Sequence, residues 1–479
     1  MIYLKKSSLR AAVSDESGGI TAWLSLCFLV FLALYLACLQ SVQRQYRRQQ
    51  AEQAVEAGMF SLFSEYEPHL LERYDLFCLD LSFAGGVQRD DWLCSRLWKH
   101  MAGQLADAAG KFPEGLEPQG IFIQDPERLT DDGGAVFYQQ AVRIMKEKSG
   151  VSLAQDWIRQ QEFREQAGKK AERFQEDCEK YEGVVQNYEE SEEGEMEAEA
   201  RQWDGLRSSF LCTMAIPGHQ EISGKTVNLS EVPSVRVLSA GSGNADGTEG
   251  DLLEKQWFIS YLCEYFPQAQ EVLAGKEHKG ERWLDYQMEY VLCGHASDQE
   301  NLEQVILQIL LLREGVNYVF LLSHPAYSDQ AQMLATLLAG LTGNAELIKG
   351  LKHLILLGWA YGESVVELRQ LLAGYELSFL KTEENWRVPL PGLLALIGDP
   401  DKYDIQDGKQ QGMDYEAYLR MFLTLLPPET LAMRTLDVVE GELQRIDGCS
   451  RIHVDHCADR LTARIWFEDI YLERTYGYE

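Results

Sequence analysis

Three residues of metal-binding type, His453, His456 and Cys457, fall within five positions of one another. Imidazole nitrogens and a thiolate are natural zinc ligands, so the spacing of this group is the first thing to weigh. The segments Arg451–Cys457 and Leu461–Phe467 alternate apolar and polar residues with period two around Ala458-Asp459-Arg460, which predicts a β-hairpin. In a strand, His453 and Cys457 share one face while His456 points to the other. That geometry separates the three, and structural roles are expected for them.

Other groupings fare no better. Asp399, Asp401, Asp404 and Asp407 bring four carboxylates into one loop, but their spacing matches no standard calcium loop. Seven glutamates between Glu189 and Glu199 read as a solvated turn between two helices. Gly241-Ser242-Gly243 lacks the third glycine of a dinucleotide fingerprint, and no Gly-Lys-Ser/Thr of a phosphate loop occurs. Asn244, Asp246 and Gly247 imitate part of an EF-hand loop, but Ser242 and Leu253 stand at its first and twelfth positions. The hydrolase elbow G-x-S-x-G and the metalloprotease HExxH are absent too. The cysteines outside Cys27 and Cys38 are scattered without C-x-x-C spacing and read as isolated core thiols. The sequence therefore assigns no catalytic residue, no cofactor and no metal ligand, and a non-enzymatic protein is expected.

What would position any site is dominated by one stretch. Ile20–Leu39 is free of charge over 20 residues, with Trp23, Phe28, Phe31 and Tyr35 among its large apolar side chains. As a helix it spans roughly 30 Å, the thickness of a bilayer's hydrocarbon core. A cleaved signal needs a shorter core of about 7–15 residues and a small-x-small site, and a lipoprotein signal needs small residues where Tyr35 and Leu36 precede Ala37-Cys38. A retained transmembrane helix fits best. The apolar runs Leu302–Leu322 and Glu346–Tyr361 are interrupted by Arg313 and Glu314 and by Lys349, Lys352 and His353, so they are read as buried helices. Trp359 and Tyr361 then belong to a core.

Beyond Gln40 no proline occurs before Pro68. Ala51, Val55, Gly58 and Leu62 recur at three- and four-residue intervals, which predicts one helix of about 45 residues, its second half offering a face for packing or assembly. The expected organisation is a short segment 1–19, a transmembrane helix 20–39, a helical extension 40–66, a small α+β lobe 67–150, an acidic helical hairpin or arm 151–210, an irregular linker 211–250, a mainly helical lobe 251–445 and a C-terminal β-hairpin 446–479. In the small lobe, strands are expected at Leu76–Leu81 and Gly120–Pro126, and helices at Asp90–Ala109 and about Gly134–Lys148. The fold class is α+β, predominantly α-helical: a long N-terminal membrane helix leading into an ectodomain with short strands.

The 479-residue chain carries a net charge of −31, although residues 1–50 hold six basic groups and two acidic ones. So acidic a body repels nucleic acid and anionic lipid surfaces. The expected partners are the membrane and other envelope proteins, with no nucleic acid and no small-molecule substrate. Basic residues flank the span evenly, and the expected topology is N-terminus inside and C-terminal bulk outside a bacterial cell membrane.

Several segments carry a resemblance. They are Gly18-Gly19-Ile20-Thr21, the apolar span, the run from Phe60 to Phe77, Leu129–Gly134, Leu284–Gly294 with Ser297–Leu302, and Tyr415–Arg420. Together they resemble an uncharacterised single-span membrane family of Gram-positive bacteria, associated with tight-adherence (Tad) pilus clusters and loosely similar to the TadE/TadG pseudopilins. The resemblance implies a pilin-like plan, in which one helix both anchors and assembles. Leu24 stands where pilin precursors carry a glutamate after the processing site, so the implied role is an accessory or minor-pseudopilin-like component. An envelope sensor or ligand-binding ectodomain is the alternative, and a surface hydrolase is a third reading.

Overall fold

The computed structural model describes residues 16–83, 85–107, 109–149, 215–216, 221–241, 251–275, 282–339, 344–393, 396, 400–403 and 412–478. The expected acidic arm at 151–210 lies outside the described residues, as do Asp399, Asp404 and Asp407. The fold is α+β and mostly helical, with a small sheet of β1 (Leu79–Asp80), β2 (Gly120–Arg128), β3 (Cys457–Trp466) and β4 (Tyr471–Gly477). The chain divides into two compact units.

The first unit draws on the described parts of Met1–Tyr66, Arg89–Pro126 and Arg460–Glu479. Its spine is α1 (Glu16–Phe63), a 48-residue helix that runs unbroken from the apolar span into the amphipathic extension. A turn at Ser64–Glu65 and then Pro68 bring it to its stop. Helix α3 (Asp90–Leu105) packs along its second half. Gly58 makes the close approach: a β-carbon there would lie 2.7 Å from Met101 Cγ and 3.3 Å from Leu97 Cδ1. Glu65 adds polar contacts to Arg96 and, at 3.0 Å, to His100 Nε2.

The same unit holds most of the hairpin, which differs from expectation in register. Strand β3 is Cys457–Trp466 and pairs antiparallel with β4 (Tyr471–Gly477), placing Thr462 opposite Thr475 and Arg464 opposite Glu473. Ala458-Asp459-Arg460 is therefore strand, and the chain reverses at Phe467–Ile470, where Phe467 N donates to Ile470 O at 2.9 Å. Phe63 closes the aromatic end of the unit against Tyr476 and Tyr478.

The second unit comprises Glu67–Gln88 and Glu127–Asp459. Helix α2 (Pro68–Tyr74) leads to the two-residue strand β1 (Leu79–Asp80), which pairs with the start of β3, Leu79 opposite Ala458. The expected strand Leu76–Leu81 thus shrinks to two paired residues, although Leu76, Cys78 and Leu81 are buried. Helix α4 (Asp131–Ser149) begins with left-handed backbone at Asp132, Gly133 and Gly134. Gly134 has φ +84°, and a β-carbon there would stand 2.9 Å from Ala432 Cβ, so glycine is required on both counts.

Among the described residues, the remaining α-helices are α5 (Leu252–Tyr265), α6 (Ala269–Leu273), α7 (Gln287–Cys293), α8 (Asp298–Ser323), α9 (Pro325–Ala339), α10 (Ala345–Leu372), α11 (Tyr415–Leu423) and α12 (Pro428–Leu443). Side-chain caps at Ser297, Asn344 and Asp414 start α8, α10 and α11 by accepting orphan N–H groups of the first turn. Among the described residues, α1 and α8 are long and apolar enough to cross a membrane. Most of α8 is buried inside the unit, whereas the apolar part of α1 is exposed among the described residues.

A buried ionic group explains how α8 tolerates its charges. Arg313 on α8 donates to both Glu367 oxygens on α10, at 2.8 and 2.5 Å, and Lys381 Nζ reaches Glu363 at 2.5 Å and Glu367 at 2.8 Å. Asn317 also donates to Glu367, and the backbone N–H of Val388 donates to Glu363 at 2.7 Å. Two acids and two bases balance, and their hydrogen bonds offset the cost of taking them out of water. Burial pushes the Glu367 carboxyl up, but Arg313 and Lys381 outweigh it and hold it down to about 2. Trp359 is buried beside this group, donating from Nε1 to Val388 O at 2.6 Å, while Tyr361 is only partly covered.

Candidate functional site

The anchor residues Ile20, Trp23, Phe28, Phe31, Tyr35 and Leu39 are all exposed on α1. A contiguous apolar surface of this extent is far larger than a water-facing helix presents, and it matches hydrocarbon in length. Ala51, Val55, Gly58 and Leu62 behave in the opposite way, being buried within the first unit on the side that faces α3. Their stripe is spent on the chain's own packing.

The opposite side of the same helix is open. Gln53, Glu56 and Phe60 follow one another at three- and four-residue steps and are exposed. Phe60 is 63% exposed and borders a hollow of about 540 Å³, lined also by Phe63, Tyr66, Tyr476 and Tyr478. Aromatic rings with polar tips are the side chains that protein interfaces favour. Sequence reasoning missed this hollow because its two walls lie more than 400 residues apart in the chain.

In the second unit, the residues around His453 form a polar centre. Val454–His456 is a single 3-10 turn and not a strand, so the expected separation of the histidines fails. The reason is local chemistry: Asp455 and His456 are buried because residues 234–239 supply partners that an exposed strand face would have found in water. Arg236 Nη2 donates to Asp455 Oδ1 at 2.7 Å and to Glu440 Oε2 at 3.0 Å, and lies 3.4 Å from His453 Nδ1. Ser239 donates from N and Oγ to Asp455 Oδ2 at 2.7 and 2.6 Å. With its only proton spent there, Ser239 Oγ accepts from His456 Nε2 at 2.7 Å, which fixes the tautomer of that ring.

The electrostatics follow from these contacts. Burial raises Asp455, but the Ser239 hydrogen bond and Arg236 outweigh it and hold the carboxyl below its ordinary range. The hydrogen bond to Glu440 raises His453, while burial depresses His456. Glu440, His453 and Asp455 bring ligand atoms within 4.8 Å of one another, as a metal would require. The guanidinium of Arg236 already stands among them as their cation, so the group works as a clasp.

Within the expected irregular linker 211–250, this clasp ties down residues 234–239. Besides Arg236 and Ser239, Ser234 donates from N and Oγ to Asp437 at 2.8 and 2.5 Å, and Tyr290 OH donates to the same carboxylate at 2.9 Å. Burial pushes Asp437 up to about 6. A small hollow of about 320 Å³ nearby is lined by Ser234, Tyr290 and Arg434, but these polar groups are turned to Asp437 and to the carbonyls of Val291 and Leu292. A further buried acid, Glu289, accepts from Ala269 N at 2.8 Å and from Tyr415 OH at 2.9 Å, and burial raises it to about 7. Glu289 is wholly buried.

Residues 189–469, more than half the chain, match a protein family described as "Family of unknown function (DUF5702)". No curated protein and no solved structure matches the chain.

Proposed function

We propose that this chain, which belongs to the DUF5702 family of unknown function, is a non-enzymatic, membrane-anchored envelope protein acting as an accessory, minor-pseudopilin-like component of a Tad-type pilus or secretion machine. The observation that carries the reading is α1: its first half is bare apolar surface of bilayer length, and its second half is the spine of a folded unit. A helix built this way holds a globular body at a fixed height above a membrane. The exposed line Gln53–Glu56–Phe60 and the aromatic hollow beside it offer the contact surface that an assembly component needs. Because Ala51, Val55, Gly58 and Leu62 are covered, partners meet this second face and not the first.

Photo-crosslinkers placed at Gln53, Glu56 and Phe60 in living cells test the proposal. Adducts with pilus- or secretion-assembly proteins are expected at these positions and not at Ala51 or Val55. A correctly anchored protein that yields no such adduct at any of the three would overturn it.

A further inference from the structure

We propose that Glu67, His69 and Cys449 in the second unit form a binding site for one Zn2+ ion, independent of any role in envelope assembly. A carboxylate oxygen, an imidazole nitrogen and the thiol sulfur of these residues lie within 4.8 Å of one another. Ligand atoms around a tetrahedral zinc stand about 3.5 Å apart, given bond lengths of about 2.0–2.3 Å, so closure needs only small side-chain rotations. The donor set selects the metal. A thiolate with an imidazole suits zinc, whereas calcium and magnesium prefer oxygen alone.

The backbone holds the three in place from both sides. Glu67 N donates to Cys78 O at 2.9 Å, and Glu67 Oε1 accepts from His69 N at 3.2 Å across the Pro68 that opens α2. Cys449 lies in a tight reversal after α12, where its N–H donates to Ile446 O at 3.0 Å and its carbonyl accepts from Ile452 N at 2.9 Å. Cys449 is buried, while Glu67 and His69 are half-buried.

The contrast with Glu440, His453 and Asp455 is instructive. There a guanidinium already supplies the positive charge. At Glu67, His69 and Cys449, among the described residues, no ion pair is made and neither the imidazole ring nor the thiol is hydrogen-bonded. On binding, the S–H proton leaves to solvent and the sulfur lone pair forms the bond to zinc, so affinity rises with pH.

The test uses the full chain, stripped of metal in detergent micelles and titrated with Co2+ as a coloured stand-in for zinc. One Co2+ per chain is expected, with a thiolate-to-metal charge-transfer band that added Zn2+ abolishes. Cys449→Ser and His69→Ala should each remove the band and weaken zinc binding at least tenfold. Glu67→Gln keeps the helix cap acceptor and should weaken zinc binding with the circular dichroism spectrum unchanged, which separates ligand loss from misfolding. A band that survives in Cys449→Ser, or zinc affinity unaltered in folded Glu67→Gln, would overturn the site.

Discussion

Arg236 reaches across more than 200 residues of sequence to place one nitrogen 2.7 Å from Asp455 Oδ1, a carboxylate wholly removed from water. Removing the guanidinium leaves that charge buried and its partner Glu440 uncompensated. Arg236→Ala should therefore cost on the order of 3 kcal/mol of stability. The loss should be accompanied by new proteolytic cutting within residues 233–241, since Arg236 fastens that segment. Chemical denaturation and limited proteolysis check the two effects together, and an unchanged cutting pattern would show that Ser234 and Ser239 suffice.

Gly58 carries a second prediction. A β-carbon there meets Met101 Cγ at 2.7 Å, so Gly58→Leu should overpack the contact with α3 and destabilise the first unit by about 1–3 kcal/mol. In a Met101→Ala background the steric conflict is relieved, and Gly58→Ala should become favourable by up to about 1 kcal/mol through helix propensity. A double-mutant cycle followed by thermal unfolding measures the coupling.

Glu367 and Glu289 make opposite predictions for pH. Glu367 is held at about 2 by Arg313 and Lys381, so its contribution is present above the unfolded carboxylate range and is lost as pH falls from about 4.5 toward 2. Glu367→Gln leaves Arg313 buried against a neutral amide and should destabilise by about 3–5 kcal/mol near neutral pH. Unfolding free energies measured across that acid range distinguish the variant, which should lose the wild-type dependence.

Burial raises Glu289 to about 7, and a raised carboxyl works the other way. Its neutral form favours the native state at low pH, and that advantage is lost as pH rises from about 4.5 to about 7. The span corresponds to roughly 3 kcal/mol. Glu289→Gln keeps an acceptor for Ala269 N and Tyr415 OH, so it should flatten the stability profile between those pH values and gain stability above pH 7.

The helices were the legible part of this chain. The apolar span, the three- and four-residue stripe after Gln40 and the charges inside Leu302–Leu322 state α1 and α8 through local pattern alone. The polar centres were not legible, for a physical reason. Asp455 and His456 look like polar strand residues on opposite faces until Ser239 and Arg236, folded back from afar, give them partners in the interior. The hairpin slipped register for a related cause: Asp459 resembles a turn residue, yet it is buried and accepts from Gln140 Nε2 at 2.5 Å. The aromatic hollow joins Phe60 to Tyr476 and Tyr478, a pairing no local period announces.

The central claim is that one unbroken helix anchors the chain and carries the folded body on the outer side of the membrane. Protease shaving of intact cells, read from a tag on the C-terminal end, tests it most directly. The chain should sediment with membranes, resist carbonate extraction and lose its tag to external protease. A tag that stays protected in intact cells, or a chain that is released into the soluble fraction with its N-terminal helix intact, would contradict it.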